Sequence, residues 1–298
     1  MIDRVRAAID VLRAELTERH GATHVEIDVH VDPNAQRVIV EGEVLVHRLA
    51  AVIASRVGAA LPEGWNVDVS AVRACTGGRW RALLQRASLH ARRGTPGPCT
   101  VLLPEDGPVQ ELVRVGDDWL VRGIDGTVGW LDGSLGDEVV APRLPAPGDA
   151  PVHRAIEIAS HYVGVAYRLG GTDEHAIDCS GLVQRVLRRS HGIVVPRHST
   201  DQRAIDPRPG EPPAGAGHLA FVWTTGEALC HVGIATDATI IHASLSRGRV
   251  IEEPRAAFVG AATRVEHVTF DALLAFGRRV AGKPSLIAAG FVLGTPVA

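Results

Sequence analysis

The sequence predicts an α+β chain of three successive units, on three observations. Apolar residues recur with helical period in some stretches and alternate strictly in others, so both element types are present. The proline-rich "APRLPAPGDAP", residues 141–151, separates a block of short alternating strands from one that opens with a helix. A length of 298 residues with 46% hydrophobic content supports two or three ordinary cores.

The first unit, residues 1–92, reads as helix, strand, strand, helix, strand. Apolar positions from Ile2 to Glu18 follow the helical period, and "HVEIDVHV" and "RVIVEGEVLV" alternate as strands. "HRLAAVIASRVGAAL" is a second helix and "WNVDVSAV" a third strand. With "VIVEGEV" as the matching stretch, this order resembles the small α/β domains called BON, which implies an accessory unit without chemistry of its own. The second unit, residues 97–140, follows the turn-rich "RRGTPGPC". Its "VQELVRVGDDWLVRGIDGTVGWL" gives short strands broken by Gly-Asp and Asp-Gly turns, and resembles a bacterial SH3-like barrel. Trp119 and Trp130 either line a groove there or fill the core.

The third unit, residues 151–282, begins with the helix "HRAIEIASHYVGV" and contains "AIDCSGLVQRVLRRSHG", residues 176–192. Asp178 can cap a helix there and Gly192 can end it. Leu182, Val183, Val186 and Leu187 form an apolar stripe between Arg185, Arg188 and Arg189. Cys179 then lies at the helix start, where unpaired N–H groups favour thiolate and are expected to lower its pKa. A nucleophilic thiol needs a base. "LCHVGIATDATIIHAS" reads as two strands joined by a short turn; an even number of turn residues makes His231 and His242 direct neighbours, with Cβ atoms about 5 Å apart. An odd number sets them diagonally and loosens the pair. Cys230 points to the opposite face, into the core.

"YRLGG", "DCSGLV", "VPRHSTDQ" and "HVGIA…IIHAS" occur in the order and spacing of the NlpC family, and the stretch from Val152 to Val268 is similar to these papain-like cysteine endopeptidases of peptidoglycan peptides. The resemblance implies helices on an antiparallel sheet, Cys179 as nucleophile, His231 as base and His242 as its orienting partner. It also implies hydrolysis of the bond between γ-D-Glu and a diamino acid, meso-diaminopimelate or L-Lys. Tyr167 and Asp178 correspond to groups that meet the free amine of an N-terminal L-Ala, with helix capping as the other reading of Asp178. Ser180 and Ser199 correspond to cleft residues facing the γ-D-Glu carboxylate, with turn chemistry as their alternative. The Cys179 backbone N–H is expected in an oxyanion hole. Two departures stand out: Gly217-His218-Leu219 where the family usually has Gly-Asp-Leu, and His198 within "PRHS". Two other readings share the scaffold, namely acyl transfer to an acceptor other than water and an inactive wall-binding or assembly module.

No cofactor is implied. His191, His198, His218, His231 and His242 have spacings that match no compact metal-ligand set. A formal net charge of −3 argues against a nucleic-acid partner, and Lys283, the only lysine, reflects composition rather than a binding surface. The charged opening "MIDRVRAAIDVLRAELTERH" is neither a signal peptide nor a membrane span, and the apolar tail from Leu286 is too short to cross a bilayer. The expectation is a cytoplasmic chain acting on muropeptides in cell-wall recycling. Reduced thiols are the default for Cys75, Cys99, Cys179 and Cys230, with a Cys75–Cys99 pair left open.

Overall fold

The computed structural model describes residues 1–20, 24–45, 48–75, 78–94, 100–224, 230–260 and 262–283. Helix α1 (Ile2–His20), strands β1 (Val25–Asp32) and β2 (Arg37–Val44), helix α2 (Arg48–Ala59) and strand β3 (Asn66–Ala74) follow the expected order. β1 runs antiparallel to β2, and β3 joins β2 in parallel after the α2 crossover. Val5, Ile9, Leu12 and Leu16 recur every three or four residues on α1. With Leu49, Ile53 and Val57 of α2 they bury Val38, Val40 and Val44 of the sheet.

Strands β4 (Trp80–Leu83) and β5 (Ala87–His90) belong to the second unit, which corrects the boundary expected at residue 92. They join β6 (Thr100–Leu102), β7 (Val109–Val115), β8 (Asp118–Arg122), β9 (Val128–Asp132) and β10 (Leu135–Val139) in a seven-stranded antiparallel sheet, order β10-β4-β7-β8-β9-β5-β6. Ser88, Leu89 and His90 pair with Asp132, Leu131 and Trp130, a long-range pairing that local alternation cannot reveal. Trp119 packs on this sheet's core, and Trp130 packs toward the first unit.

The third unit contains α3 (His153–His161), β11 (Ala166–Tyr167), β12 (Ala176–Ile177), α4 (Cys179–His191), α5 (Ser199–Arg203), β13 (Arg208–Pro209) and β14 (Leu219–Thr224). It continues with β15 (His231–Ala235), β16 (Thr239–Ser244), β17 (Arg249–Pro254), α6 (Arg255–Val259), β18 (Ala262–Val268) and α7 (Phe270–Val280). The eight-stranded sheet, order β12-β11-β17-β16-β15-β14-β18-β13, is antiparallel except for the β11–β12 pair. Leu182, Val183, Val186 and Leu187 of α4 share one core with Val232, Ile234, Ile241 and Val250 of the sheet and Leu273 and Phe276 of α7. Gly192 ends α4 in the left-handed region, at φ 70°, where a side chain would be strained.

The second unit clasps the third at the loop before α4. Val101 N–H donates to the Gly170 carbonyl (3.0 Å), Thr172 Oγ1 donates to the Val101 carbonyl (2.6 Å), and Arg86 pairs with Asp173 (2.9 Å). Arg185, expected on the polar flank of α4, is instead buried and paired with Asp106 at 2.7 Å. Among the described residues no helix is long and apolar enough to cross a membrane.

Candidate active site

The turn before α4 sets the first half of the site. Asp178, in extended conformation, caps the helix by accepting the Gly181 N–H at 2.8 Å, which places Cys179 as the first helical residue. The same carboxylate accepts from Gly170 N–H (2.8 Å), Ser180 Oγ (3.2 Å) and both terminal nitrogens of Arg197 (2.9 and 2.5 Å). Both Asp178 and Arg197 are buried. Burial pushes the Asp178 carboxyl upward, but the Arg197 charge and the hydrogen bonds outweigh it and hold the group below the usual carboxylate range. With every lone-pair direction used and the charge already matched, Asp178 has no vacancy for an ammonium ligand. Its helix-capping reading is the one the geometry favours, extended to an ion pair.

Ser180 and Ser199 are likewise engaged in structure. Ser180 Oγ lies between Asp178 and Arg197, accepting from the latter at 2.8 Å, and Ser199 Oγ donates to the Cys230 carbonyl, tying α5 to the start of β15. Tyr167, half-buried on β11, stands by Cys179 and Asp178; burial first, then these two charges, push its hydroxyl pKa up.

Strands β15 and β16 supply the second half. Ile234 pairs with Ile241 and Ala235 with Ile240, which places Gly233 opposite His242 and makes His231 the diagonal neighbour. Four residues, 236–239, lie between the last paired residues Ala235 and Ile240, two more than direct pairing of the histidines requires, so the expected direct opposition is corrected. The pair is not loosened: His231 Nε2 lies 2.8 Å from His242 Nδ1. A Cβ on Gly233 would come within 3.2 Å of His242 Cβ and of the Phe258 ring and nearer still to Ile240, so glycine permits the close approach. Phe258 of α6 packs on both imidazoles, with centroids 5.6 Å from His231 and 4.9 Å from His242. His242 Nε2 lies 2.9 Å from Glu253 Oε1.

These halves meet at Cys179, which packs against the core that includes Val232, the residue after His231, and whose thiolate the Val232 N–H favours. The thiol is not the acidic one expected from its helix position. Burial foremost, then the neighbouring Asp178 carboxylate, push Cys179 up to about 12, against the opposing N–H groups of Val232 and Ser180 and the charge of Arg197. A resting thiol of this kind needs a base at the moment of attack. His242 is pushed the other way, down to about 3, by burial and by His231, and so stays neutral. Cys230 is buried in the core as expected, and burial raises its thiol pKa.

His191 and His218 serve the backbone, with His191 Nε2 2.7 Å from the Ala150 carbonyl and His218 Nδ1 accepting the Phe270 N–H at 3.1 Å. Among the described residues, three potential metal ligands meet elsewhere, in the first unit. His24 lies 2.9 Å from Glu43, to which the free thiol of Cys75 donates at 3.3 Å. Cys99 lies outside the described residues, so its pairing does too. Sequence reasoning did not single out Arg197, Glu253 or Phe258. Arg197 stood in the quoted "VPRHSTDQ", where an arginine beside an otherwise apolar "IVVP" is a signal of a buried countercharge.

The NlpC/P60 family profile matches residues 164–266. The murein DD-endopeptidase MepS/murein LD-carboxypeptidase of Escherichia coli (strain K12) is 34% identical over 99 residues, 33% of this chain and 52% of that protein. The gamma-DL-glutamyl hydrolase of Bacillus subtilis (strain 168) is 35% identical over 96 residues, 32% of this chain and 22% of that protein. The chain thus spans about half the length of the first relative and less of the second. Among solved structures, the NlpC/p60 domain of the peptidoglycan hydrolase SagA aligns at TM-score 0.35 and 24% identity, over 40% of this chain and 99% of that one.

Proposed function

We propose that this chain, whose residues 164–266 form an NlpC/P60 domain, is a cysteine endopeptidase that hydrolyses the γ-D-glutamyl bond to a diamino acid in peptidoglycan stem peptides. The observation that carries the reading is a thiol at a helix start, seated on the strand whose first residue, His231, is oriented by His242. His231 spends Nε2 on His242, so it takes the Cys179 proton at Nδ1. The sulfur attacks the γ-glutamyl carbonyl, and the backbone N–H of Cys179 steadies the oxyanion. His231 passes its proton to the departing amine. Water then cleaves the thioester, releasing the acid and the free thiol.

Small free stem peptides are the proposed substrates, which suits recycling in the cytoplasm. The support is the clasp of the second unit on residues 170–173, which brings that unit to the loop whose Gly170 N–H meets Asp178 beside Cys179. Tyr167 remains the candidate contact for the L-Ala end. We also keep the SH3-like reading for the second unit, supported by its seven short antiparallel strands, and the BON-like reading for the first.

Mass spectrometry of the full chain with L-Ala-γ-D-Glu-diaminopimelate, and separately with intact peptidoglycan, tests the reading. Release of diaminopimelate from the peptide is expected. Cys179→Ala should lower that rate at least about a thousandfold without lowering the melting temperature, while Cys230→Ser should retain most of it. Turnover by Cys179→Ala would overturn the mechanism.

A further inference from the structure

Glu253 lies beyond the Cys-His-His set and has no part in the reaction written above. It stands on β17 directly opposite Ile240, two residues from the position facing His242 and on the same face of the sheet. Its side chain is one-quarter exposed, and Oε1 lies 2.9 Å from His242 Nε2. An ionised carboxylate only accepts hydrogen bonds, so Nε2 of His242 must carry the proton. A neutral imidazole has one N–H, which makes His242 Nδ1 an acceptor. The 2.8 Å contact at Nδ1 is then possible only if His231 donates from Nε2, and a neutral His231 that donates from Nε2 presents a lone pair at Nδ1.

We infer that Glu253 is a positioning residue that selects the tautomers of His242 and, through it, of His231, so that the base meets Cys179 with a lone pair rather than a proton. This rests on the cysteine peptidase reading and adds a fourth member to its relay. The alternative tautomer of His242 would present Nδ1–H toward His231, breaking the contact or forcing His231 into the form that cannot accept the thiol proton. When His231 becomes an imidazolium during attack, the carboxylate at the far end of the relay also stabilises that charge.

Glu253 from β17 contacts His242 directly, while Asp178 at the start of α4, Arg197 from the loop after α4 and Tyr167 from β11 stand around Cys179. α6 presents the uncharged Phe258. Glu253 is thus an anion in direct contact with His242, whereas Asp178 is matched by Arg197.

Two variants separate its two roles. Glu253→Ala removes acceptor and charge, whereas Glu253→Gln keeps an acceptor oxygen and removes the charge. For the stem peptide, Glu253→Ala is expected to lower kcat on the order of tenfold or more with KM held, because only the fraction of molecules with the productive tautomer reacts. Its acid limb should move to lower pH by roughly half a unit, since His231 loses a stabilising anion. Glu253→Gln should recover kcat to within about threefold of wild type while keeping the shifted limb.

The same limb should be read without substrate, from iodoacetamide alkylation of Cys179 against pH, located by peptide mass mapping. A wild type inert toward stem peptides would sink the peptidase reading, and the alkylation profiles would still decide the role of Glu253. Wild-type kcat and an unmoved limb in Glu253→Ala would overturn the inference. So would equal losses in Ala and Gln with an unmoved limb and lowered melting temperatures, which mark a merely structural contact.

Discussion

On the α4 side of the candidate site, Asp178 and Arg197 are sealed from solvent and satisfy each other and the surrounding N–H groups, whereas on the strand side His231 is half-buried and Glu253 one-quarter exposed. The first arrangement has one stable protonation state and nothing to transfer. The second links ring nitrogens whose protons can be reassigned by one tautomeric step. A nucleophile needs both: a rigid frame that holds sulfur still, and a neighbour whose protonation is cheap to change. Asp178 and Arg197 thus have a part in placing Cys179 at the start of α4.

The sharpest break of this contrast is on the framed side. Arg197→Ala leaves Asp178 buried without its countercharge, and breaking such a pair costs about 3–5 kcal/mol of stability. Urea unfolding should register that loss, and activity should fall with it as the α4 start loosens. Arg208→Ala, which removes an exposed pair with Asp206, should change stability by less than about 0.5 kcal/mol. Equal stability of the two variants would show that the buried pair is not a frame.

The sequence made the helix and its start legible because those signals are local: a capping aspartate, an apolar stripe and a terminal glycine all lie within residues 178–192. The two histidines were legible as strand residues on one face, but their register depended on where the 236–239 turn closed, and alternation alone does not count turn residues. Thr100 meets Arg197 across 97 residues and Glu253 meets His242 through a second hairpin, and neither pairing has a local signature. The acidity expected for Cys179 failed for a related reason. Helix position is visible in sequence, whereas burial and the Asp178 charge are properties of the packed site. The first boundary was misplaced because β5 is recruited by β9, far downstream.

The strand side is sharpened by pH. His242 is held down to about 3 in the folded chain, mainly by burial and then by His231, against an ordinary value near 6.5. The unfolded chain therefore binds an extra proton between these values, and stability due to this group is full above about 6.5 and lost progressively as pH falls toward 3. The loss amounts to something on the order of 4 kcal/mol once pH reaches the lower value. Replacing the ring with an uncharged amide, His242→Gln, should make the wild-type slope of unfolding free energy against pH shallower across that window. An identical slope in wild type and variant would mean that the histidine titrates normally and that the strand side is less dry than its burial indicates.

The smallest expected effect concerns the hinge between the two regions, where the second unit reaches the frame. Thr100 is fully buried, and its hydroxyl accepts the Nε–H of Arg197 at 2.8 Å, so a side chain from another unit helps aim the guanidinium at Asp178. Thr100→Val keeps the shape and removes the acceptor, which leaves a charged N–H buried without that partner and costs about 1–3 kcal/mol. The Asp178 contacts to Arg197 use the terminal nitrogens and survive the change, so Cys179 should stay in place and kcat should hold. The loop at residues 170–173, which the second unit clasps, should loosen, and KM for the stem peptide should rise by roughly a few-fold. A fall in kcat with KM unchanged would place Thr100 in the chemistry rather than in the clasp, and the division between a fixed frame and a proton-carrying strand side would have to be redrawn.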